Sequence, residues 1–136
     1  MSKKSVMVDD RIPDDVKQFI LEHIDSIAQL EALLLLRGSP EVDWTANAVA
    51  ERLYIGEQNA SVILQRLCAG GFLIANLEKS LLYRYHVGSP NLGQTVDRVA
   101  GLYSRYLIPV TNLIHGKSRT RVQEFADAFK LKPDKD

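Results

Sequence analysis

Apolar positions along the chain follow a helical period for most of its length and switch once to an extended one. Val16, Phe19, Ile20 and Ile24 recur at helical spacing behind Pro13-Asp14-Asp15. Proline suits a first helical position, and the two carboxylates suit the positive end of the helix dipole. Asp25-Ser26 offers a fresh N-cap, and a second helix is predicted from about residue 26 to Arg37, with Gly38 as its stop. This helix carries Ile27, Leu30 and the run Leu33 to Leu36, apolar almost all round, which marks it as the buried central helix. Thr45 is the next N-cap, and a short helix is predicted over Ala46 to Leu53. A turn at Tyr54-Ile55-Gly56 leads into a third amphipathic stretch, Glu57 to Ala69, stopped by Gly70-Gly71.

The period then changes. Phe72 to Leu77 and Leu81 to Val87 are apolar and aromatic runs around a short polar turn, Glu78-Lys79-Ser80, and together predict a hairpin. Ser89-Pro90 starts a long helix running to about His115. Pro109 lies inside it, where a missing N–H and a clash with the Arg105 carbonyl predict a kink. A last helix is predicted over Arg119 to Lys130.

With 136 residues, 46% of them hydrophobic and 25% charged, the chain is expected to form one domain over 1–136 with polar, frayed ends at 1–10 and 132–136. The opening residues predict no secretory signal, and no apolar run approaches the roughly 18 residues of a membrane span. With a single cysteine, Cys68, a cytoplasmic setting without disulfides and without a membrane partner is expected. Net charge is zero, but unevenly spread: residues 1–44 carry five basic and nine acidic side chains, and residues 88–136 carry eight and five.

The order after the buried helix is helix, short turn, helix, two-stranded hairpin, which is the order of a winged helix-turn-helix. Thr45 to Leu53 looks like the first helix of that motif, Asn59 to Leu67 like its recognition helix, Ala69-Gly70-Gly71-Phe72-Leu73 like the step into the wing, and Leu82-Tyr83-Arg84-Tyr85 like the returning wing strand. On these residues the chain resembles bacterial winged-helix regulators of the MarR-like type, over about residues 26–87. The resemblance implies a mainly α (α+β) fold: a winged helix-turn-helix with a two-stranded wing and flanking N- and C-terminal dimerisation helices. It also implies double-stranded DNA and a second copy of the chain as partners. The tip of the hairpin carries Lys79 beside Glu78, a less basic wing than is common in that family.

At about 100° per residue, Ala60, Ile63, Leu64 and Leu67 share one face of the recognition helix and should pack inward. The opposite face carries Gln58, Val62, Gln65 and Ala69, with Asn59, Ser61 and Arg66 at its margins. Glutamine and asparagine can pair with adenine, arginine with guanine, and valine can meet a thymine methyl. Lys79 and Arg84 are the candidate phosphate anchors of the wing. The ordinary alternative is a solvated polar face.

In the long helix, Leu92, Val96, Val99, Tyr103, Tyr106, Val110 and Leu113 alternate at spacings of four and three, an a/d seam. It carries more apolar surface than one domain's core needs, which suggests a homodimer. The resemblance adds the terminal helices to that interface, with Phe19, Ile20, Phe125 and Phe129 as candidates. The alternative is an intramolecular helix.

Candidate chemistry is sparse. His23, His86 and His115 have no metal-ligand spacing, Cys68 reads as a small buried thiol, and Asp9-Asp10 and Asp14-Asp15 lie at a chain start and a helix start. Neither an enzyme nor a cofactor is expected, and no effector can be named. The expected function is a dimeric, sequence-specific DNA-binding transcriptional regulator; a protein-interaction module on the same fold is the alternative.

Overall fold

The structure is a computed structural model, and it describes residues 11–117. The expected helix over 119–130, with Phe125 and Phe129, lies outside the described residues. The described residues group into two compact units, one over Ile27–Gly101 and the other over the described parts of Met1–Ser26 and Leu102–Asp136.

In chain order the elements are α1 (Asp14–His23), α2 (Ile27–Arg37), α3 (Ala46–Leu53), α4 (Glu57–Ala69), β1 (Leu73–Asn76), β2 (Leu82–Tyr85) and α5 (Pro90–Arg105). A sixth helix, α6, is described over residues 107–117.

The Ile27–Gly101 unit is built around α2, which packs against α3, α4 and β2. Leu30, Leu33 and Leu36 of α2 are fully buried, each removal from water contributing roughly 1.5–3 kcal/mol. Val49 and Ala50 of α3, and Ala60, Ile63, Leu64 and Leu67 of α4, close over them. Phe72, Leu73 and Tyr83 cover the same core from the hairpin, and Val96 and Val99 of α5 are also buried. The strands pair antiparallel, Leu73 opposite Tyr85 and Asn76 opposite Leu82.

Local chemistry explains the boundaries. The Thr45 hydroxyl accepts from the Ala48 N–H at 3.0 Å, and the Ser89 hydroxyl accepts from the Leu92 N–H at 3.2 Å. At the end of α4 the Phe72 N–H reaches the Leu67 carbonyl and the Gly71 N–H the Cys68 carbonyl, both at 3.0 Å. That ending needs a left-handed residue, and Gly71 has φ +87. Gly70 is small for another reason: a Cβ there would lie 2.9 Å from the Phe72 ring.

Just before Thr45, Trp44 exchanges two backbone hydrogen bonds of 2.8 Å with Tyr83 and adds a one-residue bridge beside β2. One boundary differs from expectation. The long helix does not merely kink at Pro109 but breaks at Tyr106, three residues earlier. A proline is tolerated in the first turn of a helix, where N–H groups lack intrahelical partners. Restarting the helix at residue 107 puts Pro109 in that turn, and Val110 N–H then donates to the Tyr106 carbonyl at 3.2 Å.

In the other unit, Val16, Phe19, Ile20 and Ile24 are buried, as are Ile12 before α1 and Val110 and Ile114 of α6. Pro13 caps α1 rather than entering it. The Lys117 ammonium donates to the Ile24 carbonyl at 3.1 Å and to Asp25 at 3.0 Å, satisfying backbone left over just past α1.

Candidate nucleic-acid interface

α3 and α4 meet through a three-residue turn. Tyr54 adopts φ 58, ψ 45, a left-handed conformation, which lets the Ile55 N–H reach back to the Ala50 carbonyl at 3.1 Å. The chain reverses there, and α4 begins after Gly56. Its four buried residues clamp one face to the core, so the opposite face must look outward. Gln58, Asn59, Val62, Gln65, Arg66 and Ala69 are all exposed, and Ser61 is half-buried at the edge. The structure thus brings the candidate base-reading residues together on one surface.

Their chemical readiness differs. Gln65 donates from its amide to the Ser61 hydroxyl at 3.2 Å and also bonds the Tyr83 phenol, so it is tied to its own helix and to the wing. Among the described residues no side-chain hydrogen bond engages Gln58 or Asn59. Val62 is 43% exposed, an isopropyl group in solvent.

A groove of about 900 Å³ lies between the starts of α3 and α4 and the wing. Thr45, Asn47, Gln58, Ser61, Ser80 and Tyr83 line it with hydroxyls and amides, and Glu57 is the one charged residue among its lining. Attraction for a phosphate backbone must come from outside the groove, and two of the nearby cations are committed elsewhere. Arg84, read as a phosphate anchor, is held by Asp43, its Nε and Nη2 donating to the two carboxylate oxygens at 3.0 and 3.2 Å. Its charge is therefore already met, a consequence of the Trp44 bridge, which brings Asp43 to the side of β2. The Arg52 guanidinium lies 5.4 Å from the centre of the Trp44 ring. Lys79 is exposed in the wing turn, which the Asn76 carboxamide tightens by accepting from the Glu78 N–H at 3.0 Å. The wing also exposes apolar side chains at Ile74, Leu77 and Leu81.

Cys68 is half-buried, and burial pushes its thiol above the ordinary value. That is opposite to the lowering a reactive thiolate needs. Tyr83 is also raised, chiefly by burial and secondarily by Cys68, while the Gln65 hydrogen bond acts the other way. No group of three or more metal-ligating side chains is assembled among the described residues, and none of their helices is long and apolar enough to cross a membrane.

The residues expected at a dimer seam are placed differently. Phe19, Ile20, Val96, Val99 and Val110 are buried in the single chain. A side chain with almost no exposed surface has none to offer a second copy, so these five are core residues. Tyr103, Tyr106 and Leu113 are half-buried. Tyr106 has the guanidiniums of Arg11 and Arg105 each 5.4 Å from its ring centre, and beside it Leu107 and Ile108 are exposed.

A helix-turn-helix capped by Thr45, followed by a two-stranded hairpin and built on a buried central helix, is a winged helix-turn-helix. No protein-family model matches the chain, and no curated protein matches it. Solved structures similar to it are winged-helix and MarR-type transcriptional regulators. One is the homodimeric winged helix-turn-helix DNA-binding domain of a possible ArsR-family regulator from Mycobacterium bovis, at 20% identity and TM-score 0.48, covering 79% of this chain and 91% of that one. Another is a transcriptional regulator from Thermotoga maritima, at 12% identity and TM-score 0.49, covering 88% and 87%. A third is the multiple antibiotic-resistance repressor MarR from Listeria monocytogenes, at 16% identity and TM-score 0.47, covering 85% and 81%. At such identities and scores the function has to be read from this chain's own side chains.

Proposed function

We propose that the chain is a dimeric, sequence-specific DNA-binding transcriptional regulator of the cytoplasm, with α4 as its recognition helix. The observation that carries this reading is the outward face of α4. Four buried apolar residues fix the helix, and the face they leave exposed bears amide, hydroxyl, isopropyl and guanidinium groups. Those are the groups that read base edges in a major groove. The hydroxyl- and amide-lined groove between α4 and the wing suits the adjacent sugar-phosphate backbone, with Lys79 as its cation. Pairing of two copies is supported by the apolar surface left at Leu107 and Ile108. The acidic first third and basic last third of the chain would favour it electrostatically. Two recognition helices would then enter successive major grooves about 34 Å apart.

Fluorescence anisotropy with labelled duplexes at about 50 mM salt tests the reading, with dimerisation followed by sedimentation. Gln58→Ala should weaken binding to a selected operator more than to random DNA, and Lys79→Ala should weaken both alike. A well-folded dimer that binds no duplex at low salt would refute it.

One observation favours a second reading. Val62, Ile74, Leu77 and Leu81 expose apolar surface on the same motif, which suits a protein partner better than a polyanion. Under that reading a defined partner co-purifies and loses its hold on Val62→Ser or Leu77→Ser, with no DNA shift.

A further inference from the structure

We propose, building on the regulator reading above, that the sequence recognised by α4 is an A·T core, read by two amides and one methyl contact rather than by arginine. A guanine edge in the major groove offers two acceptors and calls for a double donor such as arginine. An adenine edge offers one acceptor and one donor, which only a carboxamide matches on both sides, and thymine offers a methyl group. The first turns of a recognition helix are the ones that reach base edges. In α4 those turns carry Gln58, Asn59 and Val62, all exposed, while the one guanidinium of the helix, Arg66, lies a turn further along. Gln65 is set apart, because its amide is held by Ser61 and Tyr83. Glu57 and the half-buried Ser61 also belong to these turns and line the groove beside the wing; the other outward groups are two carboxamides and an isopropyl group, chemistry that selects adenine and thymine.

Charge around the site points the same way. The groove beside α4 contains no Lys or Arg in its lining, and Arg84 is held by Asp43. Non-specific attraction to phosphates is therefore weak, and binding has to draw on base-edge contacts. A·T discrimination and a shallow salt dependence go together in this surface.

The test is selection from a random-sequence duplex library with the full chain at low salt, followed by anisotropy on the enriched duplex. An A·T core is expected, and exchanging its contacted pairs for G·C should weaken binding about tenfold each. Uracil lacks the thymine methyl. Scanning uracil for thymine should weaken the wild type at one position per half-site and leave Val62→Ala unchanged there. Gln58→Ala and Asn59→Ala should each lose discrimination at one adenine. Binding to an enriched G·C core, or indifference to uracil at every thymine, would overturn this inference while leaving the regulator standing. No enrichment and no binding to any duplex would remove the regulator reading, and this inference with it.

Discussion

Tyr54 stands where helix endings usually place glycine, and its replacement by glycine isolates one energetic quantity. α3 and α4 end in the same manner: Ile55 N–H reaches back to Ala50, and Phe72 N–H reaches back to Leu67. In α4 the left-handed residue is Gly71, and in α3 it is Tyr54 at φ 58. An L-residue in that region carries roughly 1–2 kcal/mol of steric cost. Glycine removes the cost but gives the unfolded chain more freedom, returning roughly 0.5–1 kcal/mol. The side chain is 94% exposed, so its loss sacrifices almost no burial. Tyr54→Gly should therefore stabilise the protein by about 0.5–1 kcal/mol, read as a higher urea midpoint at unchanged m. Gly71→Ala is the mirror experiment. A Cβ there would meet only the Leu92 side chain at 3.9 Å, so its net loss of about 0.5–1 kcal/mol is backbone strain, less the gain from a stiffer unfolded chain, and not a clash. If Tyr54→Gly instead loses 0.5 kcal/mol or more on this order-of-magnitude scale, the strain reasoning is refuted and the phenol ring must contribute to the folded state.

Two further outcomes follow from the site. Asp43→Asn should cost less than about 1 kcal/mol of stability, because the pair is exposed. It should also free Arg84, tightening duplex binding at low salt and steepening the log K against log salt slope by about 0.9 per protomer; an unchanged slope would mean that Arg84 does not face the backbone. Cys68, Tyr83 and Tyr85 are all raised from ordinary values of 9.0, 10.0 and 10.0, principally by burial. The fold therefore favours their neutral forms, so the stability they contribute is complete below about pH 9 and falls as pH rises past 9 and then 10. Urea midpoints measured from about pH 7 to 11 should decline at the alkaline end, and a midpoint flat to pH 11 would contradict that burial.

How much of this was legible depended on the range over which each signal acts. The limits of α3 and α4 coincide with the predicted ones, because a hydroxyl at Thr45, a turn at Tyr54-Ile55-Gly56 and a glycine pair act within a few residues. The two faces of α4 were equally legible, since 100° per residue places Ala60, Ile63, Leu64 and Leu67 together whatever surrounds them. The pairing of Arg84 was not legible because its partner, Asp43, lies 41 positions away, and the Trp44–Tyr83 bridge carries it there. Gln65 and Gln58 have the same chemistry in sequence, yet packing of β2 beside α4 ties up the first and leaves the second open.

The long helix divides the two levels most plainly. Its apolar repeat was visible, but a repeat records only that a face is covered, not by what. Tertiary packing turned Val96, Val99 and Val110 into core and left Leu107 and Ile108 outside. The sequence by itself thus determined the helices, their caps, the hairpin and the winged helix-turn-helix order, because these rest on backbone hydrogen bonds and periodicity within a turn or two. Only the tertiary structure decided which charges are already met, which amides are open and which apolar residues remain exposed. Those depend on contacts between residues tens of positions apart, where one partner forecloses another.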